Sequence, residues 1–199
     1  MQYPLFPLNL VIFPEGLLPL RIFEPRYLDM VRNSARSQSE FIICHLNENQ
    51  NFDKAVSQYW VGTACEIVDF ETLPDGLLGI TARGTRRVKI SHITRADNQL
   101  LHGHVETIEE EPDHDLPDDF IEWSKMIPLI MKKMGAPYDS QVTKPDSAQW
   151  VSVRLTELLP FDLEHKQRIL EIDYPHIRLE YLKDILQEAE YYTSKGNLS

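Results

Sequence analysis

His102, His104 and Glu106 carry the most suggestive chemistry in the chain. In a strand, residues i, i+2 and i+4 share a face. Two imidazoles and a carboxylate so placed could hold zinc and leave a fourth position open for a reactive water. The plainer reading is a solvent-facing strand side, with Leu101, Val105 and Ile108 turned the other way around the strand twist. We favour the plainer reading, because no residue can be named that would orient either imidazole from behind. A small metal-dependent hydrolase stays as an alternative. Cys44 and His45 adjoin like a thiol–imidazole pair, but neighbours in a strand point to opposite faces. His114 stands between Asp113 and Asp115 in an acidic loop that explains it without a role. Lys144 and Ser147 mimic a Ser–Lys nucleophile, whereas a helix cap at Asp146 or Ser147 accounts for the stretch more simply. Arg83, Arg86, Arg87 and Lys89 form a local basic cluster that would suit RNA. Pairing with Glu66, Asp69 or Glu71 across a sheet is the preferred account. There is no G-x-S-x-G elbow and no Gly-rich phosphate loop, and eight glycines spread thinly leave little to build one from.

The elements that must position these residues change character along the chain. The first part reads as β: "YPLFPL", "LVIF", "LLPLRIF", "EFIICHL", "VGTACEIVDFETL", "LLGITARGTRRVKISHI" and "LLHGHVETIEE" are apolar or alternating runs set off by Pro, Asn and Gly. Repeated Pro fits edge strands or strand ends. "PDG" at Pro74–Gly76 is a turn, since Pro presets φ and Gly accepts positive φ. One helix interrupts the strands. Pro25 suits a first turn, Glu24 sits where the helix dipole favours a carboxylate, and Tyr27, Leu28 and Val31 follow at helical spacing. Residues 109–119 then hold seven carboxylates and two prolines, the composition of a solvated linker, with Asp118 or Asp119 available as a cap. Beyond it the pattern is helical. "FIEWSKMIPLIMKKMG" carries Pro128 as a kink and Gly135 as a stop. Ala148, Val151, Leu155 and Leu158 make one face. Asp162 is placed to cap the next helix. Leu179, Leu182, Leu186 and Ala189, widened by Ile177, Tyr181 and Ile185, predict a broad buried stripe in the last helix.

Composition bounds the partners. The net charge of −11 is uneven: residues 1–100 hold ten Lys and Arg against eleven Asp and Glu, and the rest hold ten against twenty. An acidic surface repels phosphates, so nucleic acid and anionic membranes are disfavoured. No apolar run approaches the roughly 18 residues of a membrane helix. The N-terminus lacks the basic region of a signal peptide. Cys44 and Cys65, in no C-x-x-C pair, are expected to be reduced and buried. A cytoplasmic protein is expected.

Three blocks, in order, resemble one family. Pro4–Leu8, Phe13–Pro14 and Pro19–Tyr27 match the opening signature of the N-terminal, substrate-binding domain of Lon-family ATP-dependent proteases. Gly62–Thr63, Asp75–Gly76, Gly84 and Arg87 fall into its next block, and "WVSVRLTELLPFDLEHKQRILEIDYPHIRLEYL" resembles its helical end. The resemblance implies an α+β fold over 1–195: a PUA-like β pseudo-barrel with one inserted helix (1–112), then a C-terminal helical bundle (117–195). It implies recognition of polypeptide segments or a protein partner. Lacking a G-x-x-x-x-G-K-[ST] loop and a peptidase segment, the chain is expected to be a standalone, non-enzymatic Lon-domain protein, an adaptor or chaperone-like factor, with no catalytic residue, metal or cofactor. Glu24, Arg26 and Tyr27, at the strand-to-helix corner, are the candidate peptide-binding residues. An RNA-binding protein of PUA-like fold is the other alternative.

Overall fold

The turn at Pro74–Gly76 closes the longest hairpin of the protein. In the computed structural model, which describes residues 1–46 and 60–196 and the side chains of the closing helix through residue 187, Gly76 adopts φ +83° and its N–H donates to Leu73 O at 2.8 Å. Asp75 Oδ1 accepts from Leu77 N at 3.1 Å, so the side chain completes the turn. The strands so joined are β4 (Trp60–Thr72) and β5 (Leu78–Arg95), with bulges at Ala64/Cys65 and Ile67/Asp69. The remaining strands are β1 (Gln2–Pro7), β2 (Leu17–Ile22), β3 (Phe41–Cys44) and β6 (Leu101–Thr107). Helix α1 spans Pro25–Ser37.

The sheet order is β2-β5-β4-β3-β1-β6, and β6 also pairs with β5, so five strands close into a ring. β5 is long enough to serve two partners. Its first part, Leu78–Arg83, holds β2, and its later part, Val88–Arg95, holds β6. β1 and β3 are buried on both faces. Phe6, Phe41 and Ile43 join one core with Tyr27, Met30 and Val31 of α1, while Leu5, Ile42 and Cys44 join another with Val88, Ile90 and Leu101. Double burial is why "FIIC" reads as a continuous apolar run, without alternation. Pro4 and Pro7 lie on β1, which is flanked by strands on both sides and is no edge. They are tolerated because the partners are staggered: β6 covers Gln2–Leu5 and β3 covers Leu5–Pro7.

One expected strand is not formed. Leu10–Phe13 is irregular, although Ile12 and Phe13 are buried. Side chains and single backbone contacts replace the ladder: Thr63 Oγ1 donates to Ile12 O at 2.6 Å, and Gly16 N donates to Phe13 O at 3.0 Å.

Residues 1–109 and 110–199 form separate compact units. The second contains α2 (Ile121–Met134), α3 (Ala148–Leu158), α4 (Leu163–Glu171) and α5 (Pro175–Gly196). Contacts from α2, α4 and α5 all reach α3. It is buried all round, from Trp150 to Thr156 as well as along the Ala148, Val151, Leu155 face. Ser147 caps it, accepting from Trp150 N at 2.9 Å. Pro128 lies inside α2, and Gly135 ends it. Three expectations need correction. Asp118 and Asp119 cap nothing; they begin a 3-10 turn, and Asp119 instead binds Lys183 at 2.5 Å. Asp162 precedes α4 without a side-chain cap bond; its main-chain carbonyl accepts from Lys166 N. The α5 stripe is narrower than predicted: Arg178, Leu179 and Leu182 are buried, Tyr181, Ile185 and Leu186 are half-buried, and Ile177 is exposed. Ala189 lies outside the described side chains.

A candidate polypeptide-binding surface on the β unit

The strand-to-helix corner is built by β2 running into Pro25. Helix amides at Tyr27 and Leu28 donate to the Glu24 main-chain carbonyl, both at 3.0 Å, which frees the Glu24 carboxylate for Arg26 Nε at 2.9 Å. Arg26 also donates to Gln99 O at 3.2 Å and lies 4.5 Å over the Tyr27 ring. Tyr27 packs into the core at 4.2 Å from Phe6. Thus Tyr27 anchors the helix, while Glu24 and Arg26 form a partly exposed polar clasp above it. One residue before the clasp, Phe23 is 62% exposed.

Phe23 stands at one end of a three-stranded extension. There Leu18, Leu20 and Ile22 of β2 oppose Ala82, Ile80 and Leu78 of β5. Across β5, Ile67, Phe70 and Thr72 of β4 occupy the same rows. Directly opposed residues share a face, so this face is apolar. Its interior rows are covered by α1, but Phe70 is 50% exposed, and the bulged Val68 is 43% exposed. Sequence reading missed both. The available signal was the alternation of apolar and acidic residues in "EIVDFET", within a strand much longer than its neighbour β3.

Elsewhere the suggestive residues are drawn into structure. Arg83 binds Glu66 through Nε at 2.9 Å, Arg86 is held by Glu40, and Arg87 is 1% exposed. Lys89 opposes Glu106 on β6. The four basic residues therefore do not form one open patch. Arg86 donates to the Glu40 carboxylate, and so does Thr85 Oγ1 at 2.7 Å. Burial raises the Glu40 pKa, but the bonds from Arg86 and Thr85 outweigh it and hold the carboxyl below its ordinary value of 4.5. His102 and His104 do alternate along β6, but their neighbours across the ladder are Pro4 and Thr94, and Gln2 and Ser91. Among the described residues, no three His, Cys, Asp or Glu side chains gather closely enough to hold a metal ion. Cys44 and Cys65 are both buried. His45 turns outward toward Leu8 O at 3.4 Å. In the helical unit, an open cleft of about 420 Å³ is lined by residues 113–115 and 143–147. Ser147 is engaged as the helix cap there, and Asp113 accepts from His114 N and Gln149 N, both at 2.9 Å. Burial raises the Asp113 pKa, yet these bonds and one from Ser147 leave it below 3.8.

Comparison with known proteins places this arrangement. Residues 2–188 match the family model of the ATP-dependent protease La (LON) substrate-binding domain. A crystal structure of a Lon N-terminal domain protein from Xanthomonas campestris is 34% identical with a TM-score of 0.71, covering 92% of this chain and 98% of that one. The N-terminal domain of the Mycobacterium avium complex Lon protease shares the fold at 15% identity, with a TM-score of 0.61 over 92% of this chain and 97% of that one. Lon protease 1 of Hydrogenovibrio crunogenus is 22% identical over 200 residues, covering 96% of this chain but 24% of the protease. Lon protease 2 of Herpetosiphon aurantiacus is 26% identical over 204 residues, with 94% and 24% covered. The chain thus spans about a quarter of the length of these proteases, and the matched part is the substrate-binding domain, outside their ATPase and peptidase domains. On these grounds the protein belongs to the Lon substrate-binding domain family.

Proposed function

We propose that the protein is a non-enzymatic polypeptide-binding module that acts as an adaptor or chaperone-like factor. The carrying observation is the match of residues 2–188 to a substrate-binding domain. Its β unit is read as a PUA-like pseudo-barrel and its second unit as a helical bundle. Recognition of an unfolded chain needs apolar side chains in water's reach beside polar groups that set direction. Phe23, Val68 and Phe70 meet the first need, and the Glu24–Arg26 clasp meets the second. Tyr27 contributes from beneath, by fixing α1 and hence the clasp. No helix among the described residues is long and apolar enough to cross a membrane. The test is binding to a reduced, alkylated polypeptide that cannot fold, followed by fluorescence anisotropy. Saturable binding weakened by Phe23→Ser and Phe70→Ser supports the reading. Absence of binding at high protein concentration overturns it.

A further inference from the structure

The free side of β4 carries a more specific inference. β3 covers β4 only from Gly62 to Cys65, whereas β5 covers it as far as Thr72. Over Glu66–Thr72, no described strand pairs with the side of β4 that faces away from β5. Seven residues of strand present about 20 Å of backbone edge. Such an edge is a template for another strand, and proteins guard against it with proline or charge. Another free edge among the described strands, that of β2, carries Pro19 near its middle. The β4 edge carries no proline; its guards are Asp69 and Glu71, both exposed. Asp69 Oδ1 also accepts the N–H of Phe70 at 2.9 Å, so one edge amide is satisfied by a neighbour that a partner carbonyl could replace.

The two faces of this edge differ in chemistry. Phe70 and Ile67 share the apolar face with Ile80 and Ala82. Glu66, Asp69 and Glu71 share the opposite face with Arg83, Thr81 and Gly79, and Arg83 is occupied by Glu66. A strand added here would set its side chains alternately against Phe70 and against carboxylates. A second copy of the same edge would bring Asp69 and Glu71 against their own kind, which like-charge pairing disfavours. We infer that Glu66–Thr72 is a strand-addition site for an extended polypeptide segment that alternates apolar and basic residues. The inference rests on the polypeptide-binding reading and assigns that reading a backbone-pairing mode and a charge preference.

The full chain is titrated with a labelled, end-capped heptapeptide alternating valine and lysine. Companions are a valine–glutamate version, a block version of the lysine peptide, and the lysine peptide N-methylated at alternate residues in each register. The lysine peptide should bind best. Methylating the pairing register removes three hydrogen bonds and should weaken binding at least about tenfold, while methylating the other register should not. The D69K/E71K double variant should lose about tenfold for the lysine peptide and gain for the glutamate peptide. Slowed amide exchange confined to residues 66–72 of the bound protein would place the contact. Insensitivity to N-methylation in both registers, or no change of preference in the double variant, overturns the inference. If the unfolded polypeptide of the preceding test still binds in that case, only the edge is wrong. If nothing binds, both readings fall together.

Discussion

Gly84 stands where β5 passes the irregular segment after β1, and replacing it by alanine tests how closely that segment approaches the strand. Its N–H donates to Gly16 O at 2.9 Å, and its carbonyl accepts from Glu15 N at 2.8 Å. A Cβ built there would meet Phe13 O at 2.2 Å and Phe13 C at 3.0 Å, both backbone atoms. Backbone cannot rotate away as a side-chain tip can, so the segment must shift. Overpacking of this kind costs about 1–3 kcal/mol. Loosening two buried hydrogen bonds adds about 0.5–1.5 kcal/mol each. The sum is about 2–6 kcal/mol, a large share of the roughly 5–15 kcal/mol that holds a domain folded. Equilibrium urea unfolding followed by circular dichroism measures it, with Gly76→Ala as the control. Nothing lies within 4 Å of a Cβ at Gly76, so its substitution carries only the cost of positive φ, about 1–2 kcal/mol. If Gly84→Ala loses less than Gly76→Ala, the close approach of the 13–16 segment is wrongly understood.

Further outcomes follow from the polar contacts. Glu40 has a folded pKa below its unfolded value near 4.5, so its stabilisation is complete above that value and is lost as pH falls through the lower folded pKa. Unfolding free energies at pH 6 and pH 3 should therefore differ more in the wild type than in Glu40→Gln, and equal slopes would refute the Glu40–Arg86 account. Arg178, 1% exposed, donates to Ile172 O at 2.8 Å and Asp173 O at 3.3 Å. Arg178→Ala removes both bonds and the packing of the buried stem and should lower stability by about 1–3 kcal/mol in thermal unfolding, where no change would contradict the assignment. Ser147→Ala removes the α3 cap and should cost about 1 kcal/mol in urea unfolding, while Ser147→Asp, which can still accept from Trp150 N, should retain most of it.

The order of strands and helices was legible because local signals agreed with tertiary context. Pro74–Gly76 has the chemistry of its turn, "FIIC" has the double-sided apolarity of an inner strand, and Ser147 has the position of a cap. What escaped the sequence was decided at a distance. The Leu10–Phe13 run is as apolar as a strand, but Thr63, more than fifty residues away, takes the Ile12 carbonyl that a ladder would have used. Asp118, Asp119 and Asp162 have cap chemistry, yet Lys183 claims one of them and local backbone geometry satisfies the helix ends. The candidate surface was half legible. The corner position of Glu24 and Arg26 is written in the strand-to-Pro25 pattern, whereas their mutual clasp and the burial of Tyr27 depend on Gln99 and Phe6, which are distant in sequence. Val68 and Phe70 look like ordinary strand residues, and only the shortness of β3 beside the length of β4 leaves them exposed.

The most direct test is the affinity of the intact protein for an unfolded, alkylated polypeptide, read side by side for wild type, Phe23→Ser and Phe70→Ser. Polypeptide recognition by the β unit predicts saturable binding by the wild type and weaker binding by both variants, with unfolding free energies changed only modestly because Phe23 is mostly exposed and Phe70 half exposed. No binding by the wild type, or equal binding by all three, would contradict it.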